Sequence, residues 1–314
     1  MFKYDNINNA GLIIMNDNIL IYRHDDADGL WSAAIVYNYI KDRGWATDTI
    51  VDVPVNYNKD SWDADSVNKA DYVFVLDFTF DDMDKLVEVA GNKLVWIDHH
   101  KTAMEKFPDL WNSDIKGIRS LDDAGCGLTW KYFYPHRTMS NAVKYIADRD
   151  MWKFKYEETK PFCEAAYVKI KTIDNVDFIT FFNSQDDGIE YACINEYIEF
   201  GKARLEEQAL RVKNAFNRGS DFTFHGYKAR LINTTSDISD IGQYVYIKSE
   251  YDIAVTWYVD GNNIKFSLRS NSKDKDAPDC AKIAQKYAGG GHYNAAGFSF
   301  MNVDISKLLF VIGV

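Results

Sequence analysis

The chain has 314 residues, long for one compact core and comfortable for two. Hydrophobic residues make up 46% and charged residues 26%, the balance of an ordinary soluble protein with ample core material. The formal net charge of −11 argues against a protein that grips long nucleic acid through its phosphates, yet it leaves room for a small anionic substrate, because bound divalent cations reverse the sign of an acidic pocket.

The segment MFKYDNINNAG carries no basic region followed by an apolar one, and the apolar stretch Leu308 to Val314 is too short to span a bilayer. Cys126, Cys163, Cys193 and Cys280 form no C-x-x-C pair and read as reduced thiols, so a cytoplasmic protein without membrane association is expected. In that setting the sequon at Asn233 is a chance match.

In chain order, Asn18 to Tyr22 predicts a short strand and Leu30 to Lys41 a helix. Ile50 to Val53, Tyr72 to Leu76 and Leu94 to Ile97 are short apolar runs of the kind buried in parallel sheets. Helices are expected near Asp82 to Ala90, Ala124 to Tyr134 and Asn141 to Asp148. This alternation predicts an α/β layer fold, with ligands at the carboxyl ends of its strands. A long connecting helix follows over roughly Ile189 to Phe216, ended by Gly219 and Ser220. From Asp221 a smaller α/β unit is expected, with strands at Lys228 to Ile232, Ile253 to Tyr258 and Ile264 to Leu268 and a helix near Cys280 to Tyr287. The predicted domains are therefore 1–187, a connecting helix over 188–220, and 221–314.

Four features carry metal chemistry. His24, Asp26 and Asp28 alternate directly after the first strand, so they can converge, and Gly29 lets the chain turn into the next helix. Asp77 ends the run Tyr72 to Leu76. Asp98-His99-His100 follows the run Leu94 to Ile97, in a chain with six histidines. Asp148-Arg149-Asp150 closes a helix, one carboxylate as a ligand and the other as a partner for Arg149. Singly, an acidic turn or a lone carboxylate at a strand end is more often a helix cap or a solvated charge. Together, four carboxylates and two or three imidazoles at strand ends on one side of a sheet suit two divalent cations. Mixed oxygen and nitrogen ligands favour Mn²⁺ or a similar first-row ion over zinc or calcium. Two such ions about 3.5–4 Å apart clamp a phosphoryl group for in-line attack, with Asp77 as the bridging carboxylate.

These residues bring a family into view. The order His24-x-Asp26-x-Asp28-Gly29, Asp77, Asp98-His99-His100, Asp148 resembles the DHH phosphoesterase superfamily. Gly289-Gly290-Gly291-His292 looks like the GGGH motif of the DHH-associated C-terminal domain, and Ser267-Leu268-Arg269-Ser270 like its companion strand. The stretch Tyr145 to Trp152 is similar to the branch that holds the oligoribonuclease NrnB and cyclic-nucleotide phosphodiesterases. The first histidine lies two residues before the first aspartate, as in RecJ-like and NrnB-like branches. Other branches place it four before, where this chain has Tyr22.

The resemblance implies an N-terminal parallel-sheet DHH domain joined by a long helix to a smaller C-terminal α/β domain. It implies one metal held by His24, Asp26 and Asp77 and another by Asp28, Asp77, His99 and Asp148. It places His100 against the scissile phosphate and has Asp98 orient the histidines. Arg269, Ser270, Gly289, Gly290, Gly291 and His292 would contact substrate: Arg269 as a phosphate fork, the glycines by letting backbone N–H groups approach an anion. The expected activity is hydrolysis of short oligoribonucleotides or small nucleotide phosphodiesters to mononucleotides. The expected cofactors are two divalent cations, manganese first, then magnesium or cobalt. A homodimer is compatible with this reading. A RecJ-like single-strand DNA exonuclease is the competing enzyme; it expects further modules and a basic run, and the chain shows neither up to residue 314. A non-catalytic nucleotide sensor is the competing binding protein.

Overall fold

In a computed structural model, residues 17–57, 59–183, 187–248 and 250–303 are described. The N-terminal segment and the apolar stretch Leu308 to Val314 lie outside them. The chain is a mixed α/β protein. Its described elements begin with β1 (Ile19–His24), α1 (Ala27–Asp42), β2 (Ile50–Val55), α2 (Ala64–Lys69), β3 (Tyr72–Leu76), α3 (Met83–Ala90) and β4 (Leu94–Ile97). Helices α4 (Lys101–Lys106), α5 (Pro108–Trp111), α6 (Gly125–Phe133), α7 (Asn141–Asp150), α8 (Thr159–Lys169), α9 (Asp177–Asn183) and α10 (Asp187–Arg218) follow.

Strands β1 to β4 form one parallel sheet in the order β2-β1-β3-β4. Its inner strands read as unbroken apolar runs because both faces are covered. Ile19, Ile21, Phe74, Leu76, Val95 and Ile97 face a core with residues of α1 and α6 to α9. Their alternates Leu20, Tyr22, Val73, Val75, Leu94 and Trp96 face a second core with Val67, Met83 and Leu86. Pro54 lies in β2, at the edge of the sheet, where a missing N–H costs little. Trp31 of α1 sits among Phe162, Phe178, Phe181 and Phe182, with ring centroids 4.9–5.9 Å away.

Contacts divide the chain into two compact units, 1–204 and 205–314, so the boundary falls inside α10. Ile194 and Ile198 belong to the core of the first unit, Val212 to that of the second. The second unit holds β5 (Ser220–Phe224), β6 (Tyr227–Asn233), α11 (Ile238–Ile247), β7 (Ile253–Asp260), β8 (Asn263–Ser270), α12 (Cys280–Gln285), β9 (Gly290–His292) and β10 (Ala295–Phe300). Its six-stranded sheet runs β5-β6-β7-β8-β10-β9. Only the β6–β7 pair is parallel. No described helix is long and apolar enough to cross a membrane. The four cysteines are free thiols.

Truncating a fully buried indole leaves a cavity that rigid neighbours do not close, at about 3–5 kcal/mol for Trp→Ala. Trp31→Ala is therefore expected to shift the urea midpoint of the first unit strongly downward. A loss below about 1 kcal/mol would contradict the packing described.

Candidate metal centre

The parallel sheet sends three chain segments out of its carboxyl edge, and each delivers ionisable side chains to one place. From β1, the chain turns into α1 through Asp26, whose carboxylate caps the helix by accepting the Gly29 N–H at 2.9 Å. Its other oxygen lies 2.7 Å from His24 Nδ1. Gly29 is required here: a Cβ would meet the His24 carbonyl oxygen at 2.2 Å. Asp28, in the first turn of α1, points inward and is fully buried. Its oxygens accept the N–H groups of Gly125 at 2.6 Å and Cys126 at 2.8 Å, the opening residues of α6. Helix N-terminal amides suit a carboxylate without cancelling its charge.

Asp77 leaves β3 in a left-handed backbone conformation, φ +56°, held by its N–H on the Ile97 carbonyl at 2.8 Å. An aspartate in that region is uncommon and strained. Its buried carboxylate lies 3.0 Å from His99 Nε2 and 3.8 Å from both His24 Nδ1 and His100 Nδ1. None of these is aligned as a hydrogen bond, and among the described residues both Asp77 oxygens lack a hydrogen-bond partner. Asp98 is the opposite case. Fully buried after β4, it accepts the N–H groups of His99 and His100, the His100 ring at Nδ1 (2.7 Å), and the Thr79 hydroxyl (2.5 Å). It fixes the tautomer of His100, leaving Nε2 for chemistry.

Donor atoms fall into three groups within 4.8 Å: His24, Asp26 and Asp77; Asp77, His99 and His100; and Asp28, His99 and Asp150. The structure thus brings together His24, Asp26, Asp28, Asp77, His99 and His100, with Asp98 behind them. It does not bring in Asp148. That carboxylate is buried and taken up by the Thr159 hydroxyl at 2.5 Å and the N–H groups of Lys155 and Tyr156. Asp150, two residues on, lies 3.4 Å from His99 Nε2 instead. Half a helical turn separates the two carboxylates, so α7 turns Asp150 toward His99 while Asp148, the carboxylate expected as a ligand, faces the chain that follows. Arg149, between them, pairs with Glu164.

The electrostatics express crowding. Burial, then the charges of Asp28, Asp26, Asp98 and Asp150, pushes the Asp77 carboxyl well above the usual range. Burial also raises Asp28, and burial with the charges of Asp28 and Asp26 pushes Asp150 up to about 7. Burial works against a charged His100, but the hydrogen bond and charge of Asp98 outweigh it and raise its pKa. Buried, unpartnered carboxylate oxygens beside imidazole nitrogens fit divalent cations: the donor set is hard oxygen plus nitrogen, and positive charge is what the cluster lacks.

Sequence reasoning missed Gly125, Cys126 and Thr79. Their backbone and hydroxyl donors carry no motif of their own, though Gly125 leaves a signal in retrospect: a Cβ there would meet Asp77 Cβ at 2.7 Å and Asp28 Oδ2 at 2.9 Å. In the second unit, Ser270, expected to contact substrate, is 3% exposed, and its hydroxyl donates to the Pro278 carbonyl and accepts from Asn294. Arg269 donates to the Leu268 carbonyl. Gly290 and His292 are exposed on β9, and Gly289 and Gly291 lie too close to β10 for any side chain.

Residues 18–153 match the DHH family, N-terminal domain. An uncharacterized protein of Acanthamoeba polyphaga mimivirus is 28% identical over 304 residues, covering 91% of this chain and 68% of the relative. Among solved structures, the DHH domain of a member of the s1p family of ribosomal proteins is 16% identical over 94% of this chain and 85% of that one, with a TM-score of 0.53, a likeness of fold. A pGpG-specific phosphodiesterase from Vibrio cholerae is 13% identical over 95% and 97% of the two chains, TM-score 0.45.

Metal content and stability both test this geometry. Asp150→Asn should lower the manganese bound per chain, measured by equilibrium dialysis and elemental analysis, whereas Asp148→Asn should leave it unchanged; the reverse pattern would restore Asp148 as the ligand. For the metal-free protein, a carboxyl whose pKa is raised by folding binds more protons folded than unfolded. Stability should therefore fall as pH rises from about 4 to about 7. Added Mn²⁺ should restore it, by about 2.7 kcal/mol at a hundred times its Kd. Asp77→Asn, which tolerates the left-handed backbone, should raise metal-free stability at pH 8 and remove most of the manganese gain. An equal Tm gain in wild type and variant would rule out Asp77 as a ligand.

Proposed function

We propose that this chain, whose residues 18–153 match the DHH family, N-terminal domain, is a metal-dependent phosphodiesterase that releases mononucleotides from short oligoribonucleotides or small nucleotide phosphodiesters. One observation carries the reading: Asp77, buried and with neither oxygen hydrogen-bonded among the described residues, at the meeting point of three histidines and further carboxylates. His24, Asp26 and Asp77 would hold one divalent cation and Asp28, Asp77, His99 and Asp150 the other, manganese suiting the mixed donors. Such ions supply Lewis-acid polarisation of a phosphoryl oxygen and lower the pKa of water.

The remaining work falls to this chain's own side chains. The amides of Gly125 and Cys126 keep both Asp28 oxygens in fixed orientation. Asp98 holds His100 at Nδ1 and raises its affinity for a proton, so that Nε2 presents an N–H to a phosphoryl oxygen and bears positive charge as negative charge builds there. Phe78, with Tyr57 stacked on it at 4.3 Å, forms an apolar wall beside His24 that keeps bulk water from this side. The net charge of −11 and the resemblance of the glycine loop, with His292 and Arg269, support a short nucleotide substrate over a long strand.

Full-length protein with Mn²⁺ is expected to release monophosphate from a labelled diribonucleotide. Asp77→Asn should reduce turnover at least about a hundredfold. A folded, metal-loaded wild type that binds the dinucleotide and leaves it intact would instead make the protein a sensor.

A further inference from the structure

The loop after α7 is an unusual piece of chain. Trp152-Lys153-Phe154-Lys155-Tyr156 alternates rings with cations and carries no acidic residue, in a protein of net charge −11. Two bulky residues in it hold the left-handed backbone region, Trp152 at φ +54° and Phe154 at φ +46°. Each costs of order 1 kcal/mol or more and persists only where surrounding bonds impose it.

Asp148 supplies those bonds. Its carboxylate takes the N–H groups of Lys155 and Tyr156 and the Thr159 hydroxyl, and its carbonyl takes the Lys153 N–H at 3.0 Å. The loop is therefore wound around one buried carboxylate and fixed to α7, the helix that presents Asp150 to His99. The outcome is that Trp152 stands 77% exposed, the most exposed large apolar side chain among the described residues. Its ring packs edge-on to Phe154 at 4.9 Å, which leaves a face free. Lys160 lies over Phe154 and Lys155 over Tyr156. Glu157 and Glu158 follow the run.

An exposed indole on a strained, tightly bonded loop does nothing for the core. An exposed ring in a run that carries Lys153 and Lys155, two residues along the chain from Asp150, has the composition of a stacking platform for a nucleotide; Lys153 Nζ now donates to the Asp122 carbonyl at 3.3 Å. We propose that Trp152 stacks on the base of the nucleotide whose phosphate enters the metal centre, with Lys153 and Lys155 drawing in its phosphates. Asp148 is the positioning residue that holds the platform. This rests on the function proposed above and adds to it a preference for substrates that carry a base.

The test uses the full chain with Mn²⁺, the dinucleotide pApA, its abasic analogue, and 5′-AMP. Trp152→Ala should raise KM for pApA about tenfold or more, as the loss of one base–aromatic stack implies, with kcat little changed. Trp152→Phe should recover most of the loss, and the abasic analogue should not distinguish the variants. Calorimetric binding of 5′-AMP should weaken by a similar factor in Trp152→Ala, a readout that holds even if the wild type turns over neither dinucleotide. Circular dichroism and manganese content matching the wild type confirm that the variant folds. Unchanged 5′-AMP affinity in Trp152→Ala, no 5′-AMP binding by the metal-loaded wild type, or an equal KM loss on the abasic analogue would each overturn the proposal.

Discussion

The first unit is organised around a carboxylate that the protein chain alone does not satisfy. Asp77 sits at the end of β3 with both oxygens buried and, among the described residues, without a hydrogen bond, on a left-handed backbone. Ionising a buried carboxyl that accepts no hydrogen bond is costly, which is why its pKa stands well above the usual range. The sheet tolerates it because β1, β3 and β4 are buried on both faces and cannot shift to release it. Every neighbour makes sense against that constraint: histidines placed near Asp77 without bonding to it, acids that repel it, and dipoles reserved for Asp28.

Two carboxylates that share a helix end divide the labour. Asp150 faces His99, while Asp148 is wound into the chain that follows. Hydrogen bonding to the ionised form holds the Asp148 carboxyl below the usual range in spite of its burial, whereas the crowding around Asp150 lifts it. The same residue type, two positions apart, is thus a structural anchor in one case and a neighbour of the His99 imidazole in the other.

The sheet was legible in the sequence because strands buried on both faces write themselves as short apolar runs, and those runs appear as β1, β3 and β4 almost residue for residue. The polar residues that follow each run were legible for the same reason, since the end of a buried parallel strand is where a chain emerges into a site. Asp148 and Asp150 were not separable, because a helix end rotates about 100° per residue and the pattern of Ile146 and Ala147 does not fix which acid faces the histidines. Strands β5, β9 and β10 escaped notice: β5 is mostly polar, β9 is three residues, and β10 begins with small ones. The donors to Asp28 are backbone amides, which no side-chain pattern records.

Those amides carry a consequence for which ions the centre admits. A fold that needed only to quiet Asp28 had a simpler option in a lysine or arginine, but Gly125 has no room for any side chain and offers an N–H instead. A dipole orients an anion and leaves its full charge in place. The crowded carboxyls hold their protons more tightly than usual, and a cation that displaces those protons meets the negative potential of the whole cluster. Since that potential comes from several carboxylates acting on one small volume, it discriminates steeply by valence, so that sodium or potassium at cellular concentrations gains little there while a dication gains from every acid at once.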